Sequence, residues 1–153
     1  MSFEKRFRPG MIASFPGKME VERYLYTPGL HGLKFAEALK QGRILAGRCA
    51  DGSIYVPPPT FCPDGSEEEL VDVTESEWIV DTYTVVYEDM YGNRLEEPQV
   101  VAVVRPAEAR GGMIHYVKAY PEAVYTGMRV KPVFAPEDKR RGLVTDILYF
   151  EPA

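Results

Sequence analysis

Cysteine and histidine are both scarce in this chain of 153 residues, with two of each, and the shortage narrows the chemistry open to it. Two thiols cannot build the multiply bridged framework of a small secreted protein, and by themselves they cannot fill the tetrahedral shell of a structural zinc. Nucleophilic catalysis has little to draw on, because a Ser, Thr or Cys nucleophile needs a base beside it. His31 stands in a turn between Leu30 and Gly32, and His115 lies inside a strand-like run. Both read as structural side chains, no His/Asp/Glu spacing outlines another metal centre, and no catalytic activity is expected. Concentrated positive charge is missing too. The net charge is −5, and the one basic run, Lys139-Arg140-Arg141, follows Glu137 and Asp138, which counts against nucleic acid as a partner. No apolar run approaches the roughly 18 residues of a membrane span, and the chain does not open on a basic-then-apolar leader, so a cytoplasmic protein without membrane contact is expected. Gly111-Gly112 leads into a strand, where a phosphate-cradling loop would lead into a helix.

The apolar and charged fractions are those of a globular protein, and ten tyrosines argue against disorder. Pro9, Gly10, Pro16 and Gly17 break up the first 18 residues, which read as an arm on a surface, and Met19 to Tyr26 alternates like a strand. Leu33, Ala36 and Leu39 recur at helical spacing with Phe35 on an adjoining face, so a helix is expected from Gly32 to Gln41, stopped by Gly42. Short strands at Arg43–Ala46 and Ile54–Val56 follow, the second running into three prolines. Glu67, Glu68, Glu69 and Asp72 read as a solvated linker. Beyond it come five long β segments with turns between them: Trp78–Tyr87, Gln99–Arg105, Met113–Tyr120, Met128–Phe134 and Leu143–Phe150. Five strands of this kind suit a small Greek-key barrel of the OB type, with a β-sandwich as the alternative. The expected division is an arm and helix over 1–45, a compact unit over 46–70 and the barrel over 71–153.

That compact unit holds both cysteines. Cys49 is followed three residues later by Gly52, and Cys62 by Gly65, so each half has the outline of a CxxC metal knuckle with its second ligand replaced. This is a zinc ribbon without half of its ligands, with Cys49 and Cys62 as vestigial positions, and zinc is expected to have been lost. Three arrangements fit the residues: a metal-free ribbon supported by Tyr55, Phe61 and the prolines, a disulfide between the two cysteines, or Asp51 and Asp64 recruited as replacement ligands.

The segments Tyr26-Thr27-Pro28-Gly29-Leu30-His31-Gly32-Leu33-Lys34-Phe35, Gly42-Arg43-Ile44-Leu45, Arg48-Cys49, Tyr55-Val56-Pro57-Pro58 and Phe61-Cys62-Pro63 resemble the zinc-ribbon/OB-fold proteins associated with acyl-CoA metabolism. The likeness continues through Thr82-Tyr83-Thr84, Pro98 to Val104 and Gly127-Met128 to Phe150-Glu151-Pro152. It implies a mainly β protein with an N-terminal helical arm, a rubredoxin-like ribbon, degenerate here, and a five-stranded OB-fold barrel. It also implies a non-catalytic scaffold of lipid metabolism that docks on a thiolase or a thiolase-like enzyme, or on one of the hydroxymethylglutaryl-CoA synthase type, and binds or channels acyl-CoA. Gly52, Gly65 and Pro59 depart from the family pattern. Arg43 and Arg48, flanking the ribbon, are the candidates for contact with a CoA phosphate or a partner carboxylate. The competing reading is a single-stranded nucleic-acid module whose Trp78, Tyr83 and Tyr87 stack on bases.

Overall fold

A computed structural model describes residues 27–153; the readings made for the first 26 residues lie outside it. Helix α1 spans Gly29–Lys40, starting three residues before Gly32. Its buried side chains are Phe35, Ala38 and Leu39, while Leu30 and Leu33 are exposed. The buried stripe therefore follows Phe35 at i, i+3 and i+4, and not Leu33 and Ala36. Gly42, at φ 77°, ends the helix as expected. Its N–H donates to Leu39 O and that of Arg43 to Ala38 O, each at 2.9 Å, the paired bonds of a left-handed C-terminal cap.

Two sheets follow. The smaller has the order β3-β1-β2-β6, formed by β1 (Leu45–Arg48), β2 (Ile54–Tyr55), β3 (Glu69–Asp72) and β6 (Ala109–Arg110). The segment read as a linker thus contains a strand, β3, antiparallel to β1 from Leu45↔Asp72 to Arg48↔Glu69. Leu70 and Val71 supply the apolar contribution that its acidic neighbours obscure. The second sheet closes into a barrel in the order β4-β5-β7-β9-β8, from β4 (Trp78–Glu88), β5 (Arg94–Pro106), β7 (Met113–Val117), β8 (Arg129–Phe134) and β9 (Ile147–Pro152). This is the five-stranded OB arrangement expected.

One apolar core runs through helix, small sheet and barrel: Phe35, Leu39, Ile44, Val56 and Val73 join Trp78, Val80, Val104 and Phe150 in one cluster. Trp78 is 1% exposed, lies tilted against Phe150 with 5.3 Å between ring centres, and donates its indole N–H to Val73 O at 2.9 Å.

The last strand starts at Ile147, later than the alternation from Leu143 suggested. Residues Val144–Asp146 instead form a short 3₁₀ turn, because the buried Asp146 carboxylate collects the backbone N–H groups of Arg141, Gly142 and Leu143 at 2.6 to 3.1 Å. Burial pushes the Asp146 pKa up, but these donors together with Arg140 outweigh it and hold the group below its ordinary value. Its stabilising contribution is therefore present above the unfolded carboxylate pKa of about 3.9 and is lost as pH falls through the lower folded value. Asp146→Asn, which keeps the shape and loses the charge, is expected to cost about 2 kcal/mol at neutral pH in urea denaturation, with the deficit shrinking in acid.

Candidate functional site

The two ribbon hairpins are near copies: Cys49-Ala50-Asp51-Gly52-Ser53 and Cys62-Pro63-Asp64-Gly65-Ser66. In each, the glycine N–H returns to the cysteine carbonyl and the cysteine N–H reaches the serine carbonyl, at 2.8 to 2.9 Å. Gly52 and Gly65 sit at φ 82° and 83°, a region that costs residues with a Cβ about 1–2 kcal/mol. The hairpins bring Cys49 and Cys62 together as a disulfide, with Cα atoms 5.9 Å apart. Of the three arrangements open to the sequence, this is the second. Of the side chains the packing arrangement drew on, Phe61 is 57% exposed and Tyr55 half-buried, while Pro58 is buried.

Asp51 and Asp64 are not replacement ligands here. Each accepts hydrogen bonds from the hydroxyl and N–H of the serine two residues on, and those bonds draw its pKa down. A zinc ion does not fit this donor set. Both sulfurs are bonded to each other, the third and fourth ligand positions are glycines with left-handed backbone, and the nearby carboxylates are committed to their own turns.

Arg43, just before β1, and Arg48, at its end, each face a carboxylate of β3. Arg43 Nε donates to Asp72 Oδ2 at 2.7 Å, and Arg48 Nη1 lies 3.9 Å from Glu69 Oε2. The Asp72 pKa is raised by burial but lowered further by Thr74 and Arg43, leaving it below the usual range. A shallow depression beside Arg43 is lined by Gly42, Asp72, Thr74, Glu75 and Ser76, so one guanidinium there meets two carboxylates. Arg48 holds its partner more loosely and is the freer of the two cations.

Beneath the ribbon, the reading of Glu68 as part of a solvated face is corrected. Its side chain is fully buried. His31 Nδ1 lies 2.8 Å from Glu68 Oε1 and 3.0 Å from Pro59 O; both neighbours are acceptors, so this nitrogen carries the proton. The other carboxylate oxygen has no partner and lies over Gly47, where a Cβ would overlap it. The pair ties the start of α1 to the ribbon, and Gly47 makes room for it.

Burial raises the Glu68 pKa against the opposing His31 bond. A carboxylate with a raised folded pKa gives stability that declines as pH rises from about 4.5 through the folded value. Glu68→Gln should lack this decline and gain on the native protein toward neutral pH in denaturation midpoints. Gly47→Ala, which evicts the carboxylate, is expected to lose about 2 kcal/mol in the same measurement.

On the barrel, the register Thr82↔Val103↔Ile114 and Thr84↔Val101↔Tyr116 sets six uncharged side chains on one outer face across β4, β5 and β7. Ile114 is 72% exposed. Here β5 and β7 are the second and third strands of the barrel, the face where ligands bind in an OB fold, and these six positions are uncharged where an oligonucleotide site would be basic. Inside, His115 Nδ1 accepts the Tyr116 N–H at 2.9 Å and its ring meets Phe150 edge-on, so it has a structural role. Trp78, offered as a base-stacking residue, is unavailable for stacking because it is buried in the core. Tyr83 and Tyr87 remain exposed, on a hairpin rich in carboxylates.

Fold and site together define a ribbon-plus-OB protein. The family model of the ChsH2 rubredoxin-like zinc ribbon domain matches residues 36–69, and that of the ChsH2 C-terminal OB-fold domain matches residues 79–135. A solved structure of a DUF35-family protein of unknown function from Sulfolobus solfataricus shares 31% identity over 69% of this chain and 78% of its own, with a TM-score of 0.61. The chain belongs to the DUF35 family. The Ltp2-ChsH2(DUF35) aldolase structure is also similar, at 25% identity over 79% of this chain and 93% of its own, with a TM-score of 0.57. No curated protein matches the chain. Among the described residues, no helix is long and apolar enough to cross a membrane.

Proposed function

We propose that this protein is a non-catalytic accessory subunit that docks on a thiolase-like enzyme of acyl-CoA metabolism and binds or channels its acyl-CoA. The observation that carries the reading is the likeness to the DUF35 component of an aldolase assembly, joined to an OB face whose six central side chains are uncharged where a nucleic-acid module would be basic. Nothing in the donor geometry around His31 or His115 supplies a nucleophile with its base, which supports an accessory role. The outer barrel face meets protein or acyl chain. Arg48, and more weakly Arg43, meets a partner carboxylate or a CoA phosphate, and the ribbon works without zinc.

The test is co-expression with a thiolase-like enzyme from the same source, followed by size-exclusion chromatography with light scattering. A stable mixed complex, with acyl-CoA binding measured by calorimetry on the complex and on each component, is the expected result. Absence of a mixed complex, with recovery of nucleic acid that is lost steeply with salt, would overturn it. Ile114→Lys is expected to weaken the complex at least tenfold without changing the melting temperature, because this side chain is 72% exposed and a charge there would have to be buried on docking.

A further inference from the structure

Strand β4 outruns one of its neighbours. Its pairing with β8 covers Trp78 and Ile79, with a last exchange of hydrogen bonds at Val80, whereas its pairing with β5 continues to Glu88. From Thr82 to Glu88, one edge of β4 has no strand beside it among the described residues. The hairpin formed by this stretch and the first half of β5 leaves the barrel as an arm: Thr82, Tyr83 and Thr84 are exposed on one strand, and Glu96 to Gln99 on the other. A two-stranded ribbon is marginal in water by itself, and free N–H and C=O groups along a sheet edge are a template for another strand.

The two edges of the arm are not equivalent. On β5, Leu95 to Pro98 stand opposite Tyr87 alone, between the pairs Val86↔Gln99 and Glu88↔Arg94, and Pro98 has no N–H to give, so a regular ladder cannot form there. On β4, the register is unbroken from Thr82 to Val86. Toward the tip of the arm, Tyr87, Met90 and Tyr91 are 54%, 87% and 80% exposed. Residues 82–99 carry four carboxylates, Glu88, Asp89, Glu96 and Glu97, against the single guanidinium of Arg94. A second copy of the chain would set like charges against each other.

We infer that the open β4 edge from Thr82 to Glu88 accepts an extended, basic segment of the enzyme partner as an added strand, with main-chain hydrogen bonds giving the attachment and the arm's carboxylates selecting the occupant. The inference rests on the docking role proposed above and names the surface that performs it.

Hydrogen–deuterium exchange on the full chain, free and in complex with the co-expressed thiolase-like enzyme, tests it. The amides of Thr82 to Glu88 that point away from β5 are expected to exchange at least tenfold more slowly in the complex. Glu88→Lys, Glu96→Lys and Glu97→Lys together should weaken the complex at least tenfold at low salt, with the difference narrowing as salt rises. If the complex forms but protection falls elsewhere and leaves these amides unchanged, the docking role stands and the arm's part in it is overturned. Protection of those outward-pointing amides already present in the free chain would mean that the edge is taken by the chain's own residues, which also overturns it. If no complex forms, both readings fall.

Discussion

Replacing Cys49 and Cys62 together by serine should lower the stability of the protein by about 3 kcal/mol, the amount lost when a bridge closing a loop of about 15 residues is opened. The separation here is 13 residues, and the bridged loop carries Val56 and Pro58, both buried, so slack in it loosens one wall of the shared core. Denaturant titration of the two proteins measures the loss. Adding reductant to the native protein should shift its midpoint toward that of the variant, whereas a chelator should do nothing. A chelator-sensitive midpoint with one zinc per chain would sink this account of the ribbon. Adding cysteines at Gly52 and Gly65 together is not expected to restore a metal site, contrary to what the CxxG spacing suggests. Both positions use left-handed backbone, which a residue with a Cβ rarely adopts. Elemental analysis of that variant checks the point.

Trp78→Ala is expected to cost about 4 kcal/mol, toward the upper end of what a single core truncation removes. The indole fills the junction between barrel and small sheet, and its removal leaves a cavity against Phe150 and takes away one of the two hydrogen bonds to the Val73 carbonyl, which keeps only the Ser76 N–H. Trp78→Phe keeps most of the apolar volume and loses the N–H, so about 1–2 kcal/mol is expected from the missing hydrogen bond and the small void. Because the chain has one tryptophan, circular dichroism is the suitable probe for both. Equal losses for the two variants would mean that ring volume contributes little and that the hydrogen bond dominates.

The barrel was legible because its strands are long, alternate with period 2 and are separated by glycine turns, and the end of α1 was legible because Gly42 marks it. Residues placed by distant partners were harder. Alternation put Trp78 on one face of β4 without saying whether that face looked inward, and a tryptophan suits either side. Glu68 sits among carboxylates, so its burial depends on Gly47 leaving room and His31 arriving from the helix, neither of which is its neighbour in the chain. For Arg43 and Arg48, the missing information was the β1–β3 pairing that delivers Asp72 and Glu69 to them. The cysteines carried the clearest signal, the repeated Cys-x-x-Gly. Whether the thiols meet each other depends on how two hairpins pack, and spacing alone does not contain that.

The small sheet has a consequence for anyone who would divide this protein. Its fourth strand, β6, comes from the connection between two barrel strands and lies parallel to β2, with Ile54 opposite Ala109 and Tyr55 opposite Arg110. Arg105 Nη1 braces that connection by donating to the carbonyls of Ala107 and Ala109 at 2.8 and 3.0 Å. A fragment ending before the barrel would carry a sheet missing its outer member, and a fragment beginning at the barrel would display an orphan strand. Grafting either half onto a foreign carrier would therefore transplant an open seam, and the small sheet and the barrel are transferable only together.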